Sequence, residues 1–227
     1  MKSIGKIDSI SLRGRDFEQL FTSEDYIIVI AKSVGMFEPK LWSDTFKKSL
    51  TKSIIEAKIL HTSTGLTIAL KRYNRSPTKQ TLDIAGLQGY DDKSKLLNDF
   101  LQSHFLEFME CEIKRIDICI DFVKVPNRII KRLCSNRDIL FTYYNTTYYK
   151  TKSEKKTNPI LDIKIYNKQE EAKLPRPMER LEFCFKGAYF PKGMKLKDLD
   201  KKFISKMEKS IKRFSGLDVK ILPISYI

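Results

Sequence analysis

The chain has 227 residues, with 43 Lys and Arg against 28 Asp and Glu, giving a formal net charge of +15. A hydrophobic share of 41% suffices for a core, a charged share of 31% fits a soluble protein, and no run reaches the roughly 18 apolar residues that a membrane-spanning helix needs. So strong a positive charge suits a partner made of phosphates, because each phosphate neutralised releases counterions.

The N-terminal sixty residues hold two short strands rich in Ile and Val, Ile7 to Leu12 and Tyr26 to Ala31. Pro39 and Trp42 fall in a connection, and Ile54 to Leu60 fits either strand or helix. An alternating strand, Leu66 to Leu70, then runs into Lys71-Arg72-Tyr73-Asn74. After a proline-containing turn comes a second strand, Leu82-Asp83-Ile84, ending near Gly86 and Gly89. Leu97, Phe100, Leu101, His104, Phe105 and Phe108 follow at helical spacing, with Asp91 or Asp92 as the cap. A third strand, Arg115 to Asp121, closes the unit.

Asn127 to Leu133 reads as a short basic helix, Ile139 to Thr146 as a strand, and Lys150 to Asn158 as a charged loop. A second series begins at Leu161-Asp162-Ile163-Lys164-Ile165 and continues into Tyr166-Asn167-Lys168. A turn with Pro175 and Pro177 leads to the strand Arg180 to Phe185. A helix with Leu196, Leu199, Phe203, Met207, Ile211 and Phe214, and a strand from Leu217 to Ile224, complete it. The order predicts an α+β fold, an antiparallel sheet with helices packed on one face. It reads as one domain over 1–227 with a candidate internal repeat, 64–123 and 158–227, each copy a β-β-α-β unit.

Strand side chains alternate, so each strand can be sorted into two faces. Ile116, Ile118, Ile120, Leu161, Ile163, Ile165, Leu181, Phe183 and Phe185 share the core face. Opposite them, three strands would gather Arg115, Asp117, Asp121, Lys164, Tyr166, Lys168, Arg180 and Glu182 on one open surface. Carboxylates are hard ligands for Mg²⁺ or Mn²⁺, which polarise a phosphate. A tyrosine is a nucleophile that can conserve the energy of a phosphodiester. Without the tyrosine and carboxylates, the same surface would suit a non-catalytic DNA- or RNA-binding protein of a mobile element.

Four Cys form no CxxC pair, and the only two His, His61 and His104, are far apart. The expectation is a reduced, cytoplasmic protein without a His-rich zinc site.

Four motifs carry a resemblance over roughly residues 65 to 190. Arg115-Ile116-Asp117-Ile118-Cys119-Ile120-Asp121 resembles the R-x-D strand of plasmid rolling-circle replication initiation factors of the Rep_trans type. Ile165-Tyr166-Asn167-Lys168 resembles their I-Y-D/N-K motif, and Arg180-Leu181-Glu182-Phe183 their R-L/V-E strand. Leu82 to Gly86 resembles the strand before the family helix. The resemblance implies a nickase that forms a 5′-phosphotyrosyl intermediate at a plasmid or phage origin. Tyr166 would be its nucleophile, Lys168 its support, and Asp117, Glu182 and Asp121 its ligands for Mg²⁺ or Mn²⁺. Tyr148-Tyr149-Lys150-Thr151 stands where the family shows Tyr-x-Gly-Ser, leaving Tyr148 or Tyr149 as an alternative nucleophile. Origin DNA, single-stranded or cruciform, would meet Arg115, Arg180, Lys164, Lys71, Arg72, Arg75, Arg128, Lys131 and Arg132. The resemblance also brings a host helicase and a homodimer as expected partners.

Overall fold

The fold was analysed in a computed structural model that describes residues 2–21, 24–32, 36–39, 54–61, 63, 67–73, 76–151 and 161–222. The expected charged loop, Trp42 and Arg75 lie wholly or mostly outside these residues.

Twelve strands are described: β1 (Ser3–Gly14), β2 (Tyr26–Lys32), β3 (Met36–Pro39), β4 (Ile54–His61), β5 (Thr67–Tyr73), β6 (Ser76–Ala85), β7 (Glu112–Phe122), β8 (Arg137–Tyr143), β9 (Thr146–Thr151), β10 (Leu161–Asn167), β11 (Glu179–Lys186) and β12 (Val219–Ile221). Five α-helices accompany them: α1 (Asp92–Ser103), α2 (Phe105–Met109), α3 (Asn127–Asn136), α4 (Lys168–Ala172) and α5 (Lys201–Ser215). The sheet order is β3-β2-β4-β5-β6-β1-β7-β11-β10-β9-β8, antiparallel at every step, and β12 pairs in parallel with the start of β1.

This is the α+β architecture the alternation predicts. Ile116 lies opposite Phe185, Ile118 opposite Phe183 and Ile120 opposite Leu181. Each rung pairs large apolar side chains on the same face. Leu97 and Phe100 of α1, Ile129 and Leu133 of α3, and Met207 and Ile211 of α5 complete that core. The helix ends follow local chemistry. Asp91 and Asp200 cap α1 and α5 by accepting from Ser94 N and Phe203 N, and α5 stops at Gly216, whose φ is +76°.

Several expectations need correction. The helix expected to run through Phe108 breaks at His104, whose φ/ψ of −110°/23° is not helical. Pro77 lies inside β6 rather than in a turn, near a register shift at Arg72 and Tyr73 where the ladder is already irregular. Met36–Pro39 is a strand, not a connection, and Ile54–His61 is a strand rather than a helix. Lys168 does not continue β10 but opens α4, because Asn167 caps the turn by accepting from Glu170 N. Among the described residues the first candidate repeat runs β5, β6, α1, α2, β7, whereas the second runs β10, α4, β11, α5, β12, with a helix between its first two strands. β7 lies in the main order beside β1 and β11, whereas β12 touches only residues 3–5 of β1.

Candidate functional site

The face opposite the core is built rung by rung. One rung carries Lys6, Cys119, Glu182, Lys164 and Tyr148 across β1, β7, β11, β10 and β9. The next carries Asp121, Arg180, Tyr166 and Thr146. Asp117 stands beside Ser9 and Cys184, one rung to the other side.

Much of this face is not the open surface expected from alternation. Asp117 and Arg180 are fully buried, Glu182 is 1% exposed, and Cys119 and Cys184 are buried too. The loop after β6 is fastened to the sheet beside them. Gln88 N donates to Asp8 Oδ1 (3.1 Å), Arg180 Nη2 donates to Gln88 O (2.9 Å), and Tyr90 Oη donates to Asp121 Oδ2 (2.8 Å).

Asp8 is the side chain that the alternation argument missed. It is the extra residue of a β-bulge, because Ile7 pairs with Ile118 and Ser9 with Asp117. Its carbonyl accepts from Gly86 N and Leu87 N (3.0 and 2.9 Å), and its carboxylate takes Arg180 Nη1 at 3.1 Å. The signal was present in Ile7-Asp8-Ser9-Ile10, where two polar residues separate apolar ones and the period-2 pattern slips by one.

Within the cluster the carboxylates are matched by cations. Arg180 Nε and Nη2 bind Asp121 Oδ1 and Oδ2 at 2.6 and 3.0 Å. Arg115 grips both oxygens of Asp117, with Nε at 2.8 Å from Oδ1. Lys164 Nζ is paired with Glu182 Oε1 at 2.7 Å. Glu182 Oε2 accepts from Tyr166 Oη at 3.3 Å.

These contacts set the proton affinities. Burial, and then Asp117, push the Glu182 carboxyl well above the usual carboxylate range, against the pull of Lys164. Burial and Glu182 push the Tyr166 phenol far up, so it is held neutral. Burial alone would raise Asp121, but its bonds from Arg180 outweigh this and hold it low. Lys164 and Lys168 flank the Tyr166 ring, with Nζ atoms 5.4 and 5.9 Å from its centre. Lys168 is buried and paired with Glu171 at 2.7 Å.

Tyr166 is nevertheless reached from outside. It lines a cleft of about 350 Å³ together with Tyr144, Tyr148, Lys164 and Glu170. The two alternative tyrosines separate here: Tyr148 lines the same cleft, whereas Tyr149 is 4% exposed and sits in the core opposite Ile163. Tyr149 is thereby excluded as a nucleophile.

Asp117, Asp121 and Glu182 share a face but not a point. Among the described residues no three His, Cys, Asp or Glu side chains are grouped to hold a metal ion. Asp121 does not fit such a role, since buried Arg180 occupies both its oxygens. Asp117 and Glu182 are hard oxygen donors, but each already carries a cation, Arg115 on Asp117 and Lys164 on Glu182; both cations are partly exposed, so a metal ion would have to take their place.

The expected DNA contacts also divide. Arg180 is corrected outright, because it is fully buried and neutralised by Asp8 and Asp121. Lys71 pairs with Asp83 at 2.7 Å. Arg128 and Lys131 are exposed on α3, and Arg132 Nη2 donates to Arg213 O at 3.3 Å. The side chains of Arg72 and Arg75 lie outside the described residues.

Fold and site together define an α+β protein with a tyrosine, carboxylate and cation cluster on the sheet face opposite the core that α1, α3 and α5 cover. No family model matches the chain, and no curated protein matches it. Among solved structures it is similar to a rolling circle replication initiator protein from Geobacillus stearothermophilus. The TM-score is 0.39 and the identity 13%, over 81% of this chain and 74% of that one, a distant likeness of fold alone. No helix among the described residues is long and apolar enough to cross a membrane.

Proposed function

We propose that this chain nicks one strand of DNA at a replication origin by transesterification on Tyr166. The observation that carries the reading is the Tyr166 hydroxyl, set on Glu182 and lining a cleft with Lys164 and Tyr148 in a chain of net charge +15. The phenolic oxygen attacks phosphorus, the 3′-oxygen of the neighbouring nucleotide leaves, and a 5′-phosphotyrosyl bond forms. Glu182 is placed to take the phenolic proton, and its raised proton affinity suits that transfer. Lys164 faces the charge that develops on the phosphate. Lys168 holds the ring from α4.

Asp117 and Glu182 are the residues that would hold a Mg²⁺ or Mn²⁺ ion in place of Arg115 on Asp117 and Lys164 on Glu182. When bound, such an ion would polarise the scissile phosphate. A homodimer and a host helicase belong to this reading as expected partners.

The test is a denaturing gel of the protein incubated with single-stranded oligonucleotides tiling the DNA around its own gene, with Mg²⁺ or Mn²⁺. A covalent adduct present in the wild type and abolished in Tyr166→Phe supports the proposal. An adduct that survives Tyr166→Phe and disappears in Tyr148→Phe moves the nucleophile to the neighbour in the same cleft. The second reading, a non-catalytic nucleic-acid binder, is favoured by the neutral phenol and by the cations already seated on Asp117 and Asp121. Salt-sensitive DNA binding with no adduct on any strand would establish it instead.

A further inference from the structure

We propose that a groove on the helical side of the molecule binds single-stranded nucleic acid, independently of the Tyr166 cleft. The groove, about 690 Å³, lies between the 191–194 turn and the first turns of α5. Its location follows from the aromatic stack beneath it. Phe185 is on the core face of β11, opposite to Glu182. Its ring centre is 4.6 Å from that of Tyr189, which in turn lies 5.9 Å from Phe203 of α5. The groove and the Tyr166 cleft therefore open on opposite sides of the sheet.

Its chemistry is an apolar, aromatic wall under a row of cations. Pro191, Met194 and Phe203 supply the wall. Lys202, Lys206 and Lys209 recur at four- and three-residue spacing and so form one stripe along the exposed side of α5, with Lys192 across from them. None of these four has a carboxylate partner among the described residues. The two acids in the lining are already engaged, Asp198 by the backbone of Lys195 and Asp200 by that of Phe203. Phe190 stacks on Phe203 at 5.7 Å, and Lys206 Nζ sits 5.0 Å from the centres of both Tyr189 and Phe203.

Successive charges in the stripe are about 4.5–6 Å apart along the helix axis, a spacing that long lysine side chains can match to consecutive phosphates on one side of a strand. An unpaired base would stack on Phe203 in the place of the Lys206 ammonium, which would then turn to the phosphate, a pairing of ring and cation that single-strand binders use. An acidic peptide would satisfy the lysines but leave the aromatic wall without a flat partner.

Fluorescence anisotropy of a labelled 20-nucleotide oligothymidylate tests the assignment, using Tyr166→Phe protein so that no strand is cut. Lys202→Glu with Lys206→Glu should weaken binding at least tenfold and make it less sensitive to salt. Both changes lie in the first two turns of an exposed helix face, where acids favour the helix dipole, so the fold is kept. A charge-matched control on α1, Lys93→Glu with Lys95→Glu, should cost less than threefold. Equal losses in the two variants, or none in the first, would overturn the groove. Tighter binding of a duplex of the same length would overturn the single-strand assignment, as would equal competition by polyglutamate. Because binding is read in the Tyr166→Phe background, a failed nicking reaction and a failed groove give different results.

Discussion

Arg180 shows how little a sequence motif says about a residue's freedom. It sits in a strand next to acids, and a basic residue on an exposed face would read as a phosphate contact. In the fold it is fully buried and bound to Asp8, Asp121 and the Gln88 carbonyl. Removing one partner of such a cluster leaves uncompensated charge in a poor solvent, so Arg180→Met should cost about 3–5 kcal/mol. Urea unfolding reads this directly, and a midpoint within error of the wild type would mean the acids are hydrated after all. Asp121 gives the same network a pH signature. Its carboxyl is held below the ordinary range, so its stabilisation is complete above about pH 4 and is lost as pH falls through the lower folded value. The wild type should therefore lose melting temperature on acidification through that window. Asp121→Asn should start lower at neutral pH and decline less. Parallel curves for the two proteins would remove Asp121 from the acid transition.

At the scale of elements, what was legible was what depended on periodicity. The alternation of β7, β10 and β11 gave the right core face, down to Phe183 and Phe185, which are completely buried. It also placed Tyr166, Glu182 and Asp117 together, because period 2 fixes a shared face once strands are neighbours. What depended on a single local choice was not legible. The break at His104 and the capped turn at Asn167 are each decided by one residue's local geometry, while the bulge at Asp8 left a slip in the period-2 pattern that went unread. The burial of the polar face was hidden for another reason: the residues beside it, from Gln88 to Tyr90, come from a loop with no periodicity to read. The cap at Asp91 was visible, whereas the stop at Gly216 was not read, and it can be tested. The φ of +76° at Gly216 is paired with a close approach, since an added Cβ would lie 3.2 Å from Arg132 Cδ. Gly216→Ala should destabilise by about 1 kcal/mol, seen as a fall of a few degrees in melting temperature. An unchanged value would show that the end of α5 can rearrange at no cost.

For the whole molecule, the net charge of +15 sets how it meets a polyanion. Affinity for a single strand should fall linearly on a logarithmic salt plot with a slope of about −0.7 per phosphate neutralised. A slope steeper than about −2 is expected for the wild type, measured by anisotropy between low and physiological salt. A flat plot would assign the binding to stacking alone. A different whole-molecule property follows from β1. It lies well before β6, β7 and β12 in the sequence, yet it pairs with all three, and its residues 3–5 meet Val219 to Ile221. On the ribosome, β1 emerges with both edges bare and must wait until residue 122 is out before its two long neighbours exist. Meanwhile the adjacent pairs β4–β5 and β5–β6, which need only short loops, can already close. The strand at the centre of the finished sheet is made before the neighbours that secure it, so synthesis passes through a stage in which its edges are open to chaperones and to copies of itself.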